Sequence, residues 1–131
     1  METVNLSLRL PARESALLEA HSARRASRPA TLAAELLSRA LRSLTHPAID
    51  YEHTPDGGFR ARLAGSRVAV WVVVATVRQL GRKEAAHNLG LPPALVAAAL
   101  NYAADFPEEI AQDEKMGRRS LKECGLEEAT L

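Results

Sequence analysis

Few residues of this 131-residue chain sit at spacings that suit catalysis. His21, His46, His53 and His87 are scattered over separate elements without metal-ligand spacing, so no metal site is expected. Acidic residues are scarce before position 105, which makes a pair of catalytic carboxylates hard to assemble. No Ser/His/Asp arrangement is present, and Gly57-Gly58 is no phosphate loop. Cys124, the single cysteine, lies in an acidic stretch that disfavours its thiolate; it excludes an intrachain disulfide and a Cys-rich zinc site. Neither an enzyme nor a cofactor is expected. What remains is hydrogen-bonding and cationic chemistry. Asn5, Ser7 and Arg9 alternate along a short segment, and together they donate and accept, as contact with base edges requires. Ser27 and Arg28, with Arg24 and Arg25, cluster at a predicted helix–helix break, and Arg82-Lys83 open a later helix; these are candidate phosphate contacts.

The elements that carry them are legible from periodicity. Val4, Leu6, Leu8 and Leu10 fall on one face of a period-two segment and Asn5, Ser7 and Arg9 on the other, which predicts a strand that Pro11 ends. Helical sequence follows at once, so this strand has no hairpin partner nearby. An unpaired edge is satisfied most simply by the same strand of a second copy, and an obligate homodimer is expected. Residues 12–25 predict one helix. Ser27 reads as the cap and Pro29 as the first turn of a second helix reaching about Leu44.

Strand, helix, short turn, helix over residues 3–44 resembles the ribbon-helix-helix repressors of the Arc and MetJ type, with Arg25-Ala26 where that family places Gly or Asn. The resemblance implies that paired strands enter the DNA major groove with Asn5, Ser7 and Arg9 outward. It also implies that the second helix offers a phosphate its N-terminal donors around Ser27 to Ala30.

Residues 46–58 read as a linker with two Pro and Gly-Gly, and Phe59–Leu63 as a short strand. The apolar run 68–77 favours strand by propensity, but it continues to Leu80 and a natural helix stop at Gly81. Two helices are predicted at about 82–89 and 93–104, separated by Gly90-Leu91-Pro92, a helix-turn-helix outline. The second of these offers only Asn101, Tyr102 and alanines, a composition better suited to packing than to reading bases. Gly65 to Val70, Gly81, Leu91 through Val96 to Leu100, and Glu108-Glu109 resemble the bacterial domain of unknown function 433 over residues 46–112. That resemblance implies an antitoxin partnered with a PIN-like ribonuclease toxin.

The fold class expected is therefore mainly α: a ribbon-helix-helix dimer over 1–45, a linker 46–58, a helix-turn-helix-like domain with a short strand or hairpin over 59–112, and a tail 113–131. The stretch 105–131, which includes that tail, alternates acid with apolar residues, and Phe106, Ile110, Met116, Arg118, Arg119 and Leu121 are its candidate toxin contacts. Net charge by segment, +2 over 1–50, +3 over 51–104 and −4 over 105–131, points to partners of opposite character. The run 68–77 is half of the ~20 residues a membrane span needs, and a cytoplasmic location is expected. The partners expected are a second copy, operator DNA and a toxin, with no membrane. Two other readings stay open: a stand-alone transcriptional regulator, and a dimeric interaction module that does not bind DNA.

Overall fold

The computed structural model describes residues 2–55 and 57–125. It is mainly helical, with a two-stranded antiparallel hairpin: α1 Ala12–Arg24, α2 Pro29–Thr45, β1 Ile49–His53, β2 Phe59–Leu63, α3 Val70–Leu80, α4 Arg82–Leu89, α5 Pro93–Asp105 and α6 Pro107–Glu123. The chain divides into two compact units, Met1–Ala40 and Leu41–Leu131.

The expected N-terminal strand is not formed. Residues 2–11 lie outside regular structure, and the strands come after the first two helices. The reason is physical: a strand exists through a partner's backbone, and the single chain supplies none to this segment. In the first unit α1 and α2 bury only Ser22 and Leu32. The turn between them closes with Ser27 N–H on the Ser22 carbonyl at 2.9 Å and Ala26 N–H on the Ala23 carbonyl at 3.2 Å, the six-to-one and five-to-two bonds of a Schellman cap. Ala26 sits at its left-handed position with φ +50°.

The stretch expected as a linker, 46–58, holds β1, paired to β2 from Ile49↔Leu63 to His53↔Phe59. Ile49, Ala61 and Leu63 face the core. The other face is an ionic ladder, with Arg62 Nε donating to Asp50 at 2.7 Å and Arg60 Nε to Glu52 at 2.6 Å. Thr54 closes the turn, its hydroxyl accepting Gly58 N–H at 3.0 Å. Ser66 then redirects the chain: its hydroxyl donates to the Leu63 carbonyl at 3.0 Å and accepts Val68 N–H at 3.1 Å.

Val-rich α3 is a helix despite its β-branched composition because apolar surface meets it on several sides. It packs on β2, α4, α5 and α6, and Val70, Trp71, Val73, Ala75 and Thr76 are all buried. Gly81, at φ +83°, ends it and opens α4. α6 closes the unit over Trp71 through Gly117, where a Cβ would overlap the indole ring. No helix among the described residues is long and apolar enough to cross a membrane.

Candidate nucleic-acid interface

Residues 2–11 are exposed, neither helical nor paired within the chain. Val4, Leu6, Leu8 and Leu10 are 87, 73, 61 and 49% exposed, an apolar row with no cover in the monomer. Asn5, Ser7 and Arg9 alternate with them and are likewise exposed. At the α1–α2 turn, Arg24 and Arg28 are exposed, while Arg25 is half-buried and engaged with other residues.

The cap of α2 is shifted from its expected place. Leu32 N–H donates to the Arg28 carbonyl at 3.1 Å, so Arg28 holds the cap position, and the Ser27 hydroxyl donates to that same carbonyl at 3.3 Å. Ser27 therefore does not cap the first-turn donors, and those of Ala30 and Thr31 are left at the helix mouth.

In the second unit the helix-turn-helix outline is present as α4, a left-handed Gly90 (φ +65°) and α5. Arg82 and Lys83 are exposed at the start of α4. α5 buries Val96, Ala99 and Tyr102, and of its predicted polar face only Asn101 is exposed. This helix packs against protein rather than presenting long polar side chains.

The residues expected as toxin contacts in the tail mostly belong to the unit's own interior. Ile110 is 3% exposed, Phe106 and Leu121 pack against the core, and only Met116 and Arg119 are exposed. Arg118 Nε donates to Glu114 at 3.0 Å, and Arg119 pairs with Glu123 at 3.4 Å. From Ile110 to Leu121 the alternation read as a docking tail is the amphipathic face of α6, and the last part of that tail, residues 126–131, lies outside the described residues.

The sequence reading missed a polar network around Tyr102. Its hydroxyl donates to Glu109 Oε2 at 2.6 Å and accepts Arg42 NH1 at 3.1 Å and Tyr51 at 3.1 Å, while Arg42 also bonds Glu109. The Arg42 guanidinium stacks 3.9 Å above the Phe106 ring. His46 Nε2 lies 2.7 Å from Asp105 Oδ2 beside them. Burial, then the hydrogen bond to Glu109, lifts the Tyr102 phenol far above its ordinary range, so it stays a donor. For Arg42 burial pulls down, but the Glu109 and Tyr102 bonds override it and raise the guanidinium. Four elements contribute (α2, β1, α5, α6), and spacing along the chain gives no hint of such a meeting. Among the described residues no group of His, Cys, Asp or Glu could hold a metal ion.

Scans against protein-family models, curated proteins and solved structures each return no match for the chain.

Proposed function

We propose that this protein is a homodimeric operator-binding repressor, the antitoxin of a toxin–antitoxin pair. The carrying observation is the N-terminal segment: exposed, unpaired within the chain, apolar on one alternation and Asn-Ser-Arg on the other. A segment of that kind gains stability by pairing with its own copy, which covers the apolar row and turns Asn5, Ser7 and Arg9 outward as a two-stranded ribbon. Leu17, Leu36 and Leu37 of the same unit, 53, 42 and 37% exposed, add apolar surface that a second copy covers. Arg28, Arg24 and the first-turn donors of α2 then meet phosphates on either side of the ribbon. Neutralisation of a PIN-like ribonuclease falls to the second unit, through surface left exposed there.

The test is a gel shift on the protein's own promoter. Arg9→Ala is expected to weaken operator binding by about 1–3 kcal/mol if it reads a guanine, and the wild-type affinity to fall steeply with salt. Operator binding unchanged by Arg9→Ala removes the ribbon from the mechanism. Because Phe106, Ile110 and Leu121 serve the chain's own core, a regulator without a toxin is the second reading. Expressing the adjacent reading frame alone, and then with this protein, decides between them: toxicity relieved by co-expression supports the antitoxin.

A further inference from the structure

A groove of about 410 Å³ lies in the second unit where α3 and α6 meet the end of α5. Val74, Ala103 and Ile110 give it an apolar lining, and Arg78, Lys115 and Arg118 gather at it around Glu114. Glu114 is mostly buried and doubly held: Arg78 donates both terminal nitrogens to it at 3.2 and 3.1 Å, and Arg118 donates Nε at 3.0 Å. One carboxylate needs one cation, so three cations leave this surface with a surplus of positive charge. Arg118 meets Glu114 through Nε alone, which leaves its two terminal nitrogens for an outside acceptor. Lys115 is exposed beside it and has no ion pair among the described residues. The α6 part of the groove runs from Pro107 to Arg118, about 16 Å at 1.5 Å per residue, which an extended peptide of about five residues matches.

We propose that this groove docks an acidic segment of a partner protein, its apolar side chains between α3 and α6 and its carboxylates on Lys115 and Arg118. The apolar lining decides for a peptide over nucleic acid, because a phosphodiester backbone carries nothing to cover Val74 and Ala103. In the antitoxin reading, on which the existence of a protein partner rests, this is where the toxin is gripped; operator binding does not depend on it.

The test titrates the full-length protein into a fluorescein-labelled seven-residue peptide of alternating leucine and glutamate, followed by anisotropy. Lys115→Glu and Ala111→Glu, both at exposed positions of α6, are each expected to weaken binding about tenfold or more. A peptide with serine for leucine is expected to bind as weakly. Unchanged affinity in both variants, or equal binding of the serine peptide, overturns the proposal. So does a Lys115→Glu variant that loses a labelled random-sequence duplex while keeping the peptide, since the cations then serve nucleic acid. Arg9→Ala leaves peptide affinity unchanged, so the operator reading and the groove fail separately.

Discussion

Ala26 and Gly117 are each the wrong size for a neighbouring expectation, and each shows what a single side chain decides. Ala26 holds φ +50° in the α1–α2 turn, a conformation in which its Cβ crowds the following carbonyl. Ala26→Gly is expected to stabilise the first unit by about 1 kcal/mol, read as a higher denaturant midpoint; a lowered midpoint would show that the left-handed cap carries no strain. Gly117 has the reverse role. It lets α6 lie against the Trp71 ring, and Gly117→Ala forces the helix or the indole to move. A loss of about 1–3 kcal/mol is expected, with a change in tryptophan emission as the local signature. Neither assignment follows from residue type: the turn was readable at Arg25-Ala26, its handedness was not.

α6 is where the reading of an element changed most. Its acid-and-apolar alternation suits a tail awaiting a partner as well as a helix already docked, and only the neighbours distinguish the two. α3 supplies them, with Trp71 under Gly117 and Arg78 on Glu114. The Arg78 hydrogen bonds hold the Glu114 carboxyl below its ordinary value of 4.5, burial opposing and Arg118 assisting. With the folded value depressed, the α3–α6 ion pairs contribute fully above about pH 4.5 and fade as pH falls through the folded value. Glu114→Gln is therefore expected to flatten the acid side of the stability–pH curve of the second unit while lowering its plateau near neutrality. A variant that keeps the wild-type acid slope would place that slope on other carboxylates. The hairpin tells the same lesson from the other side: Phe59–Leu63 was legible as a strand, but Ile49–His53 was hidden by flanking Pro and Gly until its register with β2 placed Ile49 in the core.

On the scale of the whole molecule the decisive matter is whether the chain is complete alone. Four apolar side chains in a row at the N-terminus, between 49 and 87% exposed, are a standing cost in water. On the proposed ribbon dimer, light scattering is expected to find the wild-type protein dimeric and Leu6→Glu monomeric, with operator binding lost in the variant. A dimer that survives this substitution moves the interface away from residues 4–10. By itself the sequence determined the helices α1, α2, α4 and α5, the glycine stops at Gly81 and Gly90, the Phe59–Leu63 strand and the polar–apolar alternation of the first ten residues, because periodicity and local backbone preference act within a few residues. Only the tertiary structure decided that 46–58 contains a strand, that α6 belongs to the core and that Arg42, Tyr51, Tyr102 and Glu109 share one network. Those depend on contacts between residues up to 67 positions apart, and which of several equally apolar or equally charged residues meet is settled by packing.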